Sequence, residues 1–324
     1  MQQEPGGPRP TPLEQSIARQ LMNYRHAFHA GNSADVLKHL ALVRVIEAMK
    51  RKAKPFRYID THAGRGLYRL NSKQALRSGE ADAGIKSLVE AASHPPLVPR
   101  GISAGTRLGE LVAPFFEVLN AVALGPATSA DSEPLPLPLV YPGSSEIARR
   151  LTRADDRLVV NELHDEDGAA LRRLMARDKR VRVLSLDGYV VAKSALPPVE
   201  RRGVLLIDPP FEEAGEFHRL EQALSAAAKR FASGVTLIWY PIKAGGQSGA
   251  FLKRIEKSGL RRLLCVECLL RHRDQPGGLN GSGLLIHNPP YQLVEELDAL
   301  LGWLLSCLGG AAGKGGEITW LVGE

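Results

Sequence analysis

From Phe56 onward the chain alternates short apolar runs with segments of helical spacing. RLVVNEL (157–163), RVRVLSLD (180–187), GVLLIDPPF (203–211), GVTLIWYP (234–241), LRRLLCVECLL (260–270), GSGLLIHNPP (281–290) and EITWLV (317–322) read as strands. Between them the pattern predicts helices over about 165–177, 214–231 and 247–258, a short one after Asp187, and a last one after Tyr291. Upstream, Val36, Leu37, Leu40, Val43 and Ile46 recur at helical spacing within 34–53, and basic residues gather at that helix's C-terminal end. Phe56 to Asp60 then reads as a strand, and THAGRG (61–66) as a glycine turn. Such alternation predicts an α/β fold with a doubly wound sheet whose last strands include an antiparallel pair. No internal repeat is evident.

Two stretches break the alternation. Residues 1–12 hold four prolines and two glycines with almost no apolar residues, which predicts a disordered extension over 1–20. Residues 68–139 carry helical patterning (Leu108, Leu111, Val112, Phe115, Phe116, Leu119) and then PATSADSEPLPLPL (126–139), too rich in proline for regular structure. They read as an inserted helical subdomain with a flexible exit, leaving 21–67 and 140–324 as the main domain. With 324 residues, 44% hydrophobic and 24% charged, the chain is long enough for a substantial core. It has no run of eighteen apolar residues, and its N-terminus lacks the basic and apolar regions of a signal peptide, so no membrane and a cytoplasmic location are expected. Three cysteines provide no disulfide framework. A net charge of +7 and a pI near 9.4 favour a polyanionic partner.

Candidate chemistry lies where the strands end. Asp208-Pro209-Pro210-Phe211 closes a fully apolar run, and its prolines forbid any continuation of the ladder, so Asp208 is delivered at a carboxyl edge, where open α/β sheets bind ligands. Asp60 opens the glycine turn after the first strand. Glu162 ends the second strand of the series, in position for ribose hydroxyls, and Asp187-Gly188 ends the third, in position for an adenine amine. Each acid alone has a plainer reading as a helix cap, and a glycine turn is commonly only a turn. Together, in this order, they fit S-adenosylmethionine lying across the sheet edge. Arg69 stands where a dinucleotide fingerprint needs its third glycine, which disfavours a nicotinamide cofactor. Asp60 and Glu162 lie about a hundred residues apart, far more than a βαβ unit needs, and the insertion accounts for the excess.

The four-residue motif implies an acceptor amine. The lone pair of an amine on a planar base is delocalised into the ring; the Asp208 carboxylate and the Pro209 carbonyl would accept hydrogen bonds from its protons and localise that pair, while Phe211 stacks on the base. Nucleic acid and protein amides both remain open at this point. Asn288-Pro289-Pro290-Tyr291 is a second form of the same motif, but only a helix and one strand follow it, and the plainer reading is a turn into the last helix. Cys265 and Cys268 with His272 raise a zinc site; positions three apart on a strand face opposite ways, so no metal is expected. Lys50-Arg51-Lys52 and Arg172-Arg173 are candidates for phosphate contacts, with solvated helix faces as the alternative.

NYRHAFHAGNSADVLKH (23–39), YIDTHAGRGLY (58–68), YPGS (141–144), NELH (161–164), DG (187–188) and LIDPPF (206–211) together resemble the RlmJ family, whose members methylate N6 of an adenine in 23S ribosomal RNA. The resemblance spans essentially residues 22–324. It implies a Rossmann-like class I S-adenosylmethionine-dependent methyltransferase with an inserted helical subdomain. Carried over by motif, it implies that His39, His62, Ser144, Glu162, Asp187, Gly188 and Asp208 contact the cofactor, and that Asp208, with Pro209 and Phe211, forms the catalytic motif. Tyr24 would meet the RNA, with His26 and Lys38 close to the active site. Read from the residues alone, His26 and His29 fit an exposed segment equally well, and Lys38 a solvated position. Phe211 departs from the family's usual Tyr, keeping the stacking face without the hydroxyl. The implied partner is 23S RNA, protein-free or in an early assembly intermediate, acted on by a monomer. A DNA adenine-N6 or protein glutamine methyltransferase would share the chemistry, and a nonenzymatic RNA-binding protein is disfavoured by the complete set of edge residues.

Overall fold

The computed structural model describes residues 26–90, 96–123, 140–308 and 315–323. The N-terminal extension, Tyr24 and the proline-rich exit at 126–139 lie outside these residues. Five strands, β1 (Arg57–Asp60), β4 (Arg157–Asn161), β5 (Val181–Leu184), β6 (Gly203–Ile207) and β7 (Val235–Ile242), run parallel. β8 (Leu263–Leu269), β9 (Gly281–His287) and β10 (Gly315–Val322) continue the sheet, with antiparallel pairing at β7–β9, β8–β9 and β8–β10. The order across the eight strands is β10-β8-β9-β7-β6-β1-β4-β5. A separate ladder joins β2 (Leu67–Arg69) to β3 (Val140–Pro142) and so brings the two ends of the intervening segment together.

Helices cover both faces of the sheet. On one side lie α1 (Ser33–Lys50), α4 (Arg107–Ala123), α5 (Ser144–Leu151), α6 (Asp165–Met175) and α10 (Leu293–Cys307). On the other lie α7 (Gly188–Ser194), α8 (Glu216–Arg230) and α9 (Gln247–Glu256). The short helices α2 (Lys73–Ser78) and α3 (Ile85–Leu88) belong, with α4, to the segment between β2 and β3. β6 shows why its sequence is apolar throughout: Val204 and Leu206 pack into the first layer, Leu205 and Ile207 into the second. Burying each such side chain stabilises the fold by about 1.5–3 kcal/mol. Cys265 and Cys268 likewise enter opposite layers, so their sulfurs diverge. Among the described residues no helix is long and apolar enough to cross a membrane.

α1 departs from its amphipathic reading. Asn32 caps it, accepting from the Asp35 amide at 2.9 Å, and fifteen of its eighteen residues are buried because it packs between the sheet and α4, α5 and α10. Lys38, read from sequence as compatible with a solvated face, is 4% exposed. A buried lysine needs partners, and these lie in the site.

Candidate active site

Parallel pairing brings the carboxyl ends of β1, β4, β5, β6 and β7 to one edge, where a cavity of about 1030 Å³ opens between them and the N-terminal half of α1. His26, Lys38, His39, His62, Ser144, Glu162, Asp187, Gly188, Asp208, Pro209 and Phe211 all line it. Residues separated by up to 185 positions thus line one cavity, and Tyr24 alone of the predicted site residues falls outside the described chain.

Asp208 is anchored from below. Lys38 Nζ donates to Asp208 Oδ2 at 2.5 Å and to Asp35 Oδ1 at 2.8 Å. Asp35 Oδ2 also takes the Gly31 amide and His26 Nε2, each at 2.9 Å. Burial works against the charged lysine, but the Asp208 and Asp35 carboxylates outweigh it and hold Lys38 above its ordinary value. Asp35 is fully enclosed, which would raise its carboxyl; the charges of His26 and Lys38 instead hold it well below the usual range. The result is a hydrogen-bonded column, His26–Asp35–Lys38–Asp208, that ends on the motif carboxylate.

The turn after Asp208 is strained. Phe211 adopts a left-handed φ of 51°, unusual for a bulky side chain and worth roughly 1–3 kcal/mol of strain. Its ring is clamped edge-on by Phe217 at 5.0 Å and Trp239 at 5.7 Å, and its remaining surface faces the cavity. Trp239 Nε1 is buried without a hydrogen-bond partner among the described residues.

The opposite wall suits an adenosyl group. Glu162 accepts the Gly64 amide at 2.8 Å and the His164 amide at 2.7 Å, and no cation pairs with it among the described residues. Enclosure by protein pushes its carboxyl up to about 7, so a ligand that donates hydroxyls to it would relieve the cost of its charge. Asp187 spends Oδ1 on the Tyr189 and Val190 amides, capping α7. Gly188 is required by close approach: a Cβ there would stand 2.4 Å from His62 Nε2 and 2.9 Å from the Thr61 carbonyl. Burial lowers His62, and it pushes His39 down to about 3, so His39 is neutral when it shares a 2.7 Å hydrogen bond with Tyr141 Oη. Ser144 Oγ donates to Asp60 at 2.6 Å, and Tyr58 Oη adds a second bond at 2.8 Å. Desolvation still drives Asp60 up to about 6.

Sequence reasoning passed over several members of this constellation. Asp35 sits one turn before Lys38 on α1, but an acid in a first helical turn is common enough to hide its role. Trp239 lies in an apolar strand run and Tyr141 in the YPGS motif, and neither carries a separate signal of its own. Glu216, Tyr189 and Arg219, which are linked by hydrogen bonds and ring packing at the mouth, had no spacing signal.

The family described as ribosomal RNA large subunit methyltransferase D, RlmJ, matches residues 53–109 and 137–322. Over 304 residues, 94% of this chain and 100% of the relative, the sequence is 36% identical to "Ribosomal RNA large subunit methyltransferase J" of Escherichia coli (strain K12). The chain belongs to the RlmJ family. The RlmJ relative from Haemophilus influenzae is 34% identical over the same span. Protein LPL1258 from Legionella pneumophila, a solved structure, superposes with a TM-score of 0.74 at 29% identity, covering 90% of this chain and 98% of that one. The RlmJ-family chain thus has a Rossmann-like methyltransferase sheet, and the break in the family match, 110–136, falls inside the segment between β2 and β3, the first part of which the family also matches.

Proposed function

We propose that this chain transfers the methyl group of S-adenosylmethionine to the N6 amine of an adenine in 23S ribosomal RNA. One observation carries the reading: Asp208, Pro209 and Phe211 share a single cavity with the acids and glycines suited to an adenosyl group. When bound, S-adenosylmethionine supplies an electrophilic sulfonium methyl. Glu162 would hold its ribose and Asp187 its adenine amine, with His39, His62, Ser144 and Gly188 completing the wall.

On the acceptor side, the Asp208 carboxylate and the Pro209 carbonyl accept hydrogen bonds from the two N–H groups of the amine, which turns the nitrogen lone pair out of the ring and toward the methyl group; the proton shed once the N–C bond has formed passes to Asp208 or water. As nitrogen gains positive charge, the carboxylate stabilises it, and the enclosed cavity strengthens that interaction relative to water. Lys38 keeps Asp208 in one orientation, so little reorganisation is needed at the moment of attack. Phe211 offers a ring face to a base that has left its stack. Tyr24 would meet the RNA, with His26 and Lys38 close to the reacting base. Family membership favours RNA over the alternatives of a DNA adenine or a protein glutamine. The substrate is taken as protein-free 23S RNA or an early assembly intermediate, and the active unit as a monomer in the cytoplasm.

The test is direct. The protein is incubated with methyl-labelled cofactor and separate RNA, DNA and protein pools, and the modified base is mapped. Label in 23S RNA at adenine N6, abolished by Asp208→Ala, is the expected result. Label in protein with RNA blank refutes the substrate, and full activity in Asp208→Ala refutes the mechanism.

A further inference from the structure

The second Pro-Pro motif takes no part in the cavity. Because β9 runs antiparallel to β7, Asn288 emerges at the opposite, amino edge of the sheet, donating through Nδ2 to the Gly234 carbonyl at 3.2 Å just before β7 begins. Tyr291 at the end of that turn is 84% exposed. Its carbonyl accepts from Arg51 Nη1 at 3.3 Å, which places the aromatic beside the exposed loop Arg51-Lys52-Ala53-Lys54.

That loop is held by two arginines, of which Arg153 is itself ion-paired with Asp156 at 2.9 Å. Arg153 Nη1 donates to the carbonyls of Lys52 and Ala53 at 3.0 and 3.2 Å, and Arg202 donates to those of Lys54 and Met49. Arg202 therefore spends its donors on carbonyls, and its charge is not cancelled. Burial and the neighbouring Arg153 charge push its guanidinium below the ordinary value, as crowded cations do. Among the described residues no carboxylate lies within ion-pair distance of Lys52, Lys54 or Arg201. The cavity is the reverse: carboxylates outnumber lysines and arginines along its lining by nine to three. The net charge of +7 is thus not concentrated at the catalytic mouth, where a polyanion meets mainly acids.

Arg51 is itself ion-paired with Glu296 at 2.6 Å and serves to position the turn; we infer that the amino-edge patch formed by Lys52, Lys54, Arg201, Arg202 and Tyr291 binds a second stretch of the RNA strand. The cations meet phosphates, and Tyr291 stacks on an unpaired base. This deepens, and rests on, the RNA reading of the proposed function. The five residues of β6 separate the two edges by roughly 17 Å at the usual rise of a strand, so the RNA must be long enough to reach both. Electrostatic affinity then resides at one edge and chemistry at the other.

The test uses Lys52→Gln/Lys54→Gln/Tyr291→Ala in the full chain and a fluorescent transcript of 23S RNA, with binding read by anisotropy over a salt series and without cofactor. The expected result is a Kd raised about tenfold or more and a log–log salt slope reduced by about 1.4, the contribution of two phosphates on a single strand. Lys52→Arg/Lys54→Arg retains both values. The melting temperature and the S-adenosylmethionine Kd report that the fold is intact. A triple variant that is folded and binds RNA within twofold of the parent, with the same slope, overturns the inference, as does loss of binding in the arginine variant. The two readings fail separately: a parent that binds RNA through this patch but methylates none refutes the proposed function alone, whereas a parent that methylates RNA while the triple variant binds normally refutes the patch alone.

Discussion

If Glu162 holds the cofactor's ribose as proposed, cofactor affinity is expected to depend on pH in a way that Glu162→Gln would remove. Its carboxyl is pushed up to about 7 by enclosure, against two backbone hydrogen bonds that favour the charged form. An adenosyl ligand donating hydroxyls to the carboxylate binds the ionised form, so binding releases a proton near neutrality. With that value, affinity falls by about tenfold between pH 8 and pH 6, the ratio of ionised fractions. Stability of the free protein moves the other way. A carboxyl raised above its unfolded value of 4.5 keeps a proton in the folded state that the unfolded chain releases, so its effect is absent below pH 4.5 and grows as pH rises toward 7. The loss reaches about 3 kcal/mol, at 1.36 kcal/mol for each pH unit between the two values. Asp60, raised to about 6, adds a loss of the same sign. Isothermal titration of S-adenosylmethionine from pH 6 to 8, in two buffers of different ionisation enthalpy, measures both the affinity and the released proton. Glu162→Gln is expected to bind weakly and without that slope, and to lack the corresponding part of the stability loss. A parent affinity that is flat across the range, or an identical slope in Glu162→Gln, refutes the reasoning.

Other perturbations test other parts of the site. Lys38→Met leaves Asp35 and Asp208 enclosed without their shared cation, which is expected to cost about 3–5 kcal/mol, lower the melting temperature by roughly 5–10 °C and reduce methyl transfer by about a hundredfold or more. Thermal scans and single-turnover assays check it. Gly188→Ala forces a Cβ against His62 and the Thr61 carbonyl, so it is expected to weaken cofactor binding by about tenfold; unchanged affinity would mean that the two loops yield freely. Phe211→Ala removes a stacking face worth about 1–3 kcal/mol and should raise KM for RNA by about five- to 150-fold, whereas Phe211→Tyr stays within about threefold.

Much of this was legible in the chain because local rules apply. The apolar runs of β4, β6 and β7, the prolines that end β6 at Asp208, and the acids at Glu162 and Asp187 depend only on strand burial and strand termination, which short sequence windows encode. Helical spacing announced α1 just as clearly. The family pattern added His39, His62 and Ser144, residues that composition and spacing do not single out.

Two decisions needed the assembled fold. The first was which side of α1 is wet: its sequence marks an apolar stripe with Lys38 off it, but packing on all sides buries that lysine and compels it to find Asp35 and Asp208, the latter 170 residues away. The second was the geometric reason that separates the two Pro-Pro turns, which position along the chain had already ranked. Asp208-Pro209-Pro210-Phe211 and Asn288-Pro289-Pro290-Tyr291 are near copies as sequence, and both follow apolar strands. Strand direction separates them: β6 is parallel to its neighbours and ends at the cavity, whereas β9 is antiparallel to β7 and ends at the far edge. A strand's sequence encodes its burial and its ends, and direction is set only by the partners it pairs with.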